Sequence, residues 1–110
     1  MKGIKIKGFS NYWIFPELGK VWSIKSNRWI GYKNPNGYRQ VHLCGDDGNI
    51  WHTSVHRVIW TSVNGKIPDN MVINHKSERK DENFIWNLEV CSIAYNNAYG
   101  TRTTRAAESL

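Results

Sequence analysis

The apolar pattern of this chain changes once, at Ser54, and that change limits the fold more than any other feature. Before Ser54, apolar and polar residues alternate in short runs broken by turn signals. After it, apolar residues recur at helical spacing. Period-two alternation marks strands with one buried face, and a 3.6-residue period marks a helix lying on a core. The chain therefore reads as α+β, with a β-rich N-terminal module followed by a helix and a strand–loop–strand–helix unit. The boundaries predicted are 1–54 for the β-rich module, 55–100 for the second unit and 101–110 for a basic, flexible tail.

Several strands can be placed. Ile4 and Ile6 alternate with Lys5 and Lys7. Tyr12 to Phe15 is apolar and stops at Pro16, and Lys20 to Lys25 alternates almost perfectly. Trp29-Ile30, Tyr38 to Cys44 and Asn49 to Ser54 follow. Asn34-Pro35-Asn36-Gly37 and Gly45-Asp46-Asp47-Gly48 separate them, since Asn-Gly tolerates the positive φ of a hairpin turn. Ser54 is placed to cap a helix. Val55, Val58, Ile59 and Val63 then form its stripe, with Trp60 beside it, and Asn64-Gly65 ends it. Met71 to Ile73 and Leu88 to Cys91 read as two short strands around a polar loop. Ser92 opens a last helix running through Tyr99 to Gly100, and Arg102 and Arg105 lie in a tail with no core pattern.

At 110 residues the chain has room for one compact domain, and six tryptophans give a small core much area per residue. Lys and Arg outnumber Asp and Glu by 15 to 9, a net charge of +6. That is the sign needed to displace counterions from a phosphate backbone. No apolar run is long enough for a membrane span, and Met1-Lys2 is not followed by a signal core. A cytoplasmic location is expected. Cys44 and Cys91 are too few and too far apart for a disulfide framework, and read as reduced, partly buried thiols. No CxxC or CxxH pair suggests a zinc knuckle.

One imidazole and several carboxamides mark the second unit: Asn74-His75, Asn87 and Asn96-Asn97. Hydrolysis of a phosphodiester needs a base titrating near neutrality to take a proton from water. It also needs positive charge at the phosphate, which a hard divalent cation on oxygen ligands supplies. His75, at a strand end, is the candidate base. Asn96, or Asn97 one step on, is a candidate oxygen ligand on the last helix. Asn74 points to the opposite side from His75 if the strand is regular, and to the same side if its end twists. Asn87, just before the second strand, can bridge the loop by hydrogen bonds and aim His75. His56 and Arg57 at the helix start, with Lys76, Arg79 and Lys80 in the loop, are candidate DNA contacts. His42 and His52 read as surface or packing residues.

The ordered series Val55-His56-Arg57, Gly65-Lys66-Ile67-Pro68, Asn74-His75-Lys76, Asn83, Asn87-Leu88-Glu89 and Asn96-Asn97 resembles the HNH endonucleases. It is most similar to the phage and intron-encoded homing type. Ile6-Lys7-Gly8-Phe9, Tyr12-Trp13-Ile14 and Gly19-Lys20-Val21-Trp22-Ser23 resemble the β module that precedes HNH in those enzymes. The resemblance covers roughly residues 4 to 99. It implies a ββα-metal (His-Me finger) unit that nicks or cuts double-stranded DNA with one divalent cation, Mg²⁺ or Mn²⁺, leaving 5′-phosphate and 3′-hydroxyl ends. Carried onto this chain, it makes His75 the general base, Asn87 the structural middle residue, Asn96 a metal ligand and Asn74 a second ligand. Asn74 stands where relatives often carry Asp, a neutral oxygen in place of a charged one. That departure motivates an alternative: a weak or inactive DNA-binding accessory protein derived from a homing enzyme. A phage-borne chain would work in the host cytoplasm, as monomer or dimer, and one site cuts one strand at a time.

Overall fold

The computed structural model describes residues 2–98. The N-terminal part is two three-stranded antiparallel sheets. The first joins β1 (Tyr12–Phe15), β2 (Lys20–Ser23) and β3 (Arg28–Ile30); the second joins β4 (Tyr32–Lys33), β5 (Arg39–Cys44) and β6 (Ile50–Ser54). Ile4 makes only a bridge to Ile14, so the predicted strand through Ile6 does not form. The Asn34–Gly37 turn is held by the Asn34 carboxamide, which accepts from the backbone N–H of Asn36 and Tyr38. Gly37 supplies the positive φ of 90°.

The core is aliphatic. Ile14, Val21, Val41, Leu43, Val55, Val58 and Ile59 are its most buried side chains. None of the tryptophans is fully buried in it: Trp51 and Trp60 pack against it, while Trp13, Trp29 and Trp86 are exposed, so the composition-based expectation holds only in part. Trp13, Trp22 and Trp29 sit side by side across β1, β2 and β3, on the face turned away from Ile14 and Val21. Lys5 lies 4.5 Å over the Trp13 ring and Lys20 5.5 Å over that of Trp29. Alternation along each strand sends the larger rings outward and the branched aliphatics inward. Cys91 is buried but Cys44, at the end of β5, is exposed.

Helix α1 (Val55–Asn64) buries Val55, Val58 and Ile59 against both sheets, while Val63 is exposed. It ends at Gly65, whose N–H bonds to the Thr61 carbonyl. Ser54 makes no side-chain capping bond. Its hydroxyl is instead 3.3 Å from Nε2 of His56, a partner that competes with the helix end.

β7 (Met71–His75) and β8 (Leu88–Ser92) form a two-stranded antiparallel sheet, with His75 opposite Leu88 and Asn74 opposite Glu89. A 3-10 turn, Ile85–Asn87, leads into β8. Residues 93–98 are helical (α2). Here Ser92 acts as predicted: its hydroxyl accepts from the Tyr95 N–H at 3.1 Å. The predicted helix end at Gly100 and the tail 101–110 lie outside the described residues. The loop between β7 and β8 leans on the first sheet. The Ile85 N–H bonds to the Pro16 carbonyl at 2.9 Å, and Gly19 packs on the backbone of Asn83 and Phe84.

Candidate active site

His75 closes β7 and is 5% exposed. Its Nε2 lies 2.8 Å from Oδ1 of Asn83, itself 2% exposed. An amide oxygen only accepts, so Nε2 carries the hydrogen and Nδ1 keeps a lone pair. Burial pushes the imidazole pKa below its usual value. The Asn83 bond and the carboxylates of Asp81 and Glu82 act against that, and the Lys80 ammonium acts with it. The net direction is a ring that stays neutral, and basic, at neutral pH.

The loop after His75 is clamped by Asn87. Its Oδ1 accepts from the Ser77 N–H at 2.9 Å, and its Nδ2 donates to the Ser77 hydroxyl at 3.0 Å and to the Glu82 carbonyl at 2.8 Å. The Lys76 N–H also bonds to the Asn87 carbonyl. These bonds span both ends of the loop and leave the buried carboxamide satisfied.

Asn74, His75 and Asn96 line one small pocket of about 170 Å³, with Tyr38, Ile73, Glu78 and Lys80. Asn74 and His75 are neighbours at the end of β7, and both line this pocket. The Asn74 amide nitrogen donates to the half-buried Glu89 carboxylate at 2.8 Å, which fixes the plane of the carboxamide. Among the described residues no three His, Cys, Asp or Glu side chains converge. The oxygen-bearing side chains that line this pocket are instead those of Asn74, Asn96, Glu78 and Tyr38. That set fits a hard cation that retains several waters, and not a soft thiolate or imidazole site. Glu78 holds a φ of 65°, an uncommon backbone for a residue with a side chain.

His56 is turned inward. Its ring centroid is 4.9 Å from that of His75. Burial, aided by His75 and Arg57, pushes its pKa down to about 3. Its Nδ1 is buried without a hydrogen-bond partner among the described residues. The Tyr38 ring covers both histidines, at 5.6 Å from His56 and 6.1 Å from His75. Lys80 lies 4.8 Å over that ring and donates to the Asn36 carbonyl. Arg57 is exposed beside a second, open hollow that also includes His52, Ser54 and His56. Arg79 is exposed and lies 3.5 Å from Glu82, and Lys76 is exposed at the loop start. His42 and His52 face each other across β5 and β6, exposed, with ring centroids 4.3 Å apart.

Three of these neighbours are not legible as site residues in the sequence. Asn83 belongs to the ordered series, but nothing there pairs it with His75. Glu89 is reached only through the register of β7 on β8. Tyr38 lies in the other module, and only the fold brings it over the histidines.

A family model described as HNH endonuclease matches residues 54–98. DNA endonuclease I-HmuI of Bacillus phage SP01 is 31% identical over 85 residues, covering 76% of this chain and 48% of that protein. The chain thus spans about half the length of that relative. The solved structure described as DNA binding and cleavage by the HNH homing endonuclease I-HmuI matches with a TM-score of 0.76 at 26% identity. The match takes in 98% of this chain and 65% of the other.

Proposed function

We propose that residues 54–98 form an HNH endonuclease unit of the homing type, and that this protein is a metal-dependent DNA endonuclease. The observation that carries this reading is the pocket in which a neutral, anchored imidazole meets two carboxamides, His75 with Asn74 and Asn96.

Double-stranded DNA lies across β7, β8 and α2. Nδ1 of His75 takes a proton as water attacks phosphorus. The bond from phosphorus to the 3′ oxygen breaks, and that oxygen gains a proton from solvent. The products are a 5′-phosphate and a 3′-hydroxyl. Asn74 and Asn96 would hold a Mg²⁺ or Mn²⁺ ion through their side-chain oxygens, and that ion would supply charge neutralisation at the phosphate. Asn83 holds the imidazole in the tautomer that leaves Nδ1 open, and Asn87 holds the loop that carries Asn83. Exposed Arg57, Lys76 and Arg79 face the phosphate backbone. Lys80, engaged with Asn36 and Tyr38, contributes charge nearby.

The test is plasmid cleavage by the purified protein across a divalent-metal series, with EDTA and His75→Ala as controls. Loss of about 10²–10⁴-fold in rate is expected for His75→Ala, the range for a general base. Full cleavage by that variant would sink the mechanism. The tie of Asn74 to Glu89 favours a second reading, a DNA-binding protein with weak or no catalysis. That reading requires salt-sensitive DNA binding and no cleavage with any metal.

A further inference from the structure

Tyr38 is the one aromatic side chain that the β module lends to the HNH pocket, among the described residues. It enters from the start of β5, directly after the Asn34–Gly37 turn. Its ring is held on several sides: by His56 and His75, and by the Lys80 ammonium 4.8 Å over it. Lys80 is itself tied to the Asn36 carbonyl in the same turn. A tyrosine fixed in this way loses little further freedom on meeting a ligand, since it has only two side-chain torsions.

The hydroxyl is another matter. Among the described residues it has no hydrogen-bond partner, and it is not one of the buried unsatisfied atoms. A packed ring with an unused, solvent-reachable donor is poorly explained by packing alone, for which phenylalanine would serve. The placement points to a ligand. Tyr38, Ile73 and Asn96 are common to the small pocket of His75 and to the open hollow of Arg57 and His56. A DNA strand running from one hollow to the other passes Tyr38 next to the base.

We propose that Tyr38 is a catalytic residue whose hydroxyl donates to a non-bridging oxygen of the phosphate being cut. This rests on the nuclease reading above. A donor preset at the atom where charge grows lowers the barrier without reorganising in the reaction.

The test is Tyr38→Phe, which keeps the ring and its three neighbours. Cleavage of a DNA oligonucleotide duplex or plasmid is measured with Mg²⁺ or Mn²⁺ at saturating and sub-saturating DNA, with thermal unfolding as a control. Turnover should fall about 10- to 100-fold, on the scale of losing one such donor, with KM changed less than threefold and the melting temperature held. Wild-type turnover by the variant overturns the proposal. So does a loss confined to KM, which would put the hydroxyl on a phosphate that is not cut. A drop in melting temperature that accounts for the rate loss would leave the hydroxyl a structural part and also overturn it. Absence of cleavage by the wild type with every metal is a different result, since it removes the nuclease reading itself and the proposal with it.

Discussion

Nε2 of His75 lies 2.8 Å from Oδ1 of Asn83, and that one bond decides which ring nitrogen is left basic. Asn83 is 2% exposed, so solvent competes little for this bond, while His75 also lines the pocket. Asn83→Ala frees the ring to rotate and change tautomer, and cleavage should fall at least tenfold with DNA binding retained. Asn83→Asp puts a negative charge against the Nε2 hydrogen and stabilises the imidazolium. The pKa of His75 then rises from its depressed value, and activity should fail at a higher pH as the solution is acidified. A pH–rate profile of the two variants against the wild type checks both statements.

His56 couples stability to pH. Its pKa is about 3 in the folded protein, against about 6.5 in an unfolded chain. At neutral pH both states hold it neutral and it contributes no slope. As pH falls through 6.5 the unfolded chain takes up a proton that the folded one refuses, so stability drops, continuing until the pH nears 3. The loss should be on the order of a few kcal/mol by pH 4. His56→Phe should give a shallower decline over that range in urea unfolding. An equally steep curve would show that His56 is not the source.

Asn87→Ala removes three side-chain hydrogen bonds at once and leaves the Ser77 N–H and the Glu82 carbonyl without their partner. Stability should fall by about 1–3 kcal/mol, the usual cost of stranding buried polar groups. Cleavage should fall with it, because the same loop carries Asn83. Chemical denaturation beside a cleavage assay tests the pair.

Asn74→Asp exchanges a donor to Glu89 for a second carboxylate 2.8 Å from it at the observed spacing. Without a divalent cation the two like charges oppose each other and the melting temperature should drop. With Mg²⁺ or Mn²⁺ the added charge should tighten binding and restore part of the loss. Thermal unfolding with and without the metal reads this directly. An identical shift in both conditions would remove Asn74 from the metal site.

Most of the strands, though not the short β4, and α1 with its stop at Gly65 are legible in the sequence because their patterns are local. β1, β5 and β6 fall within a residue or so of where alternation places them. Ile4 and Ile6 alternate too, but strand length depends on a neighbour to pair with, and only Ile4 finds one. Trp13, Trp22 and Trp29 mislead for a related reason: period two says which residues share a face, and not which face meets the core. At the site, His75, Asn87 and Asn96 stand out by type and order. Their partners are set by contacts that no short window contains. Ser54 illustrates this limit, being a good capping residue in sequence whose hydroxyl meets the His56 ring instead.

Gly19 holds a φ of 65°, and a side chain there would lie 2.7 Å from the backbone nitrogen of Phe84. A methyl group at this turn in the first sheet would push directly on the segment that delivers the Asn83 carboxamide. The second unit therefore does not own all of its architecture: one wall of its mould belongs to a neighbour more than sixty positions upstream. Exchange of the two halves between related proteins would succeed only where the incoming half brings an equally bare turn.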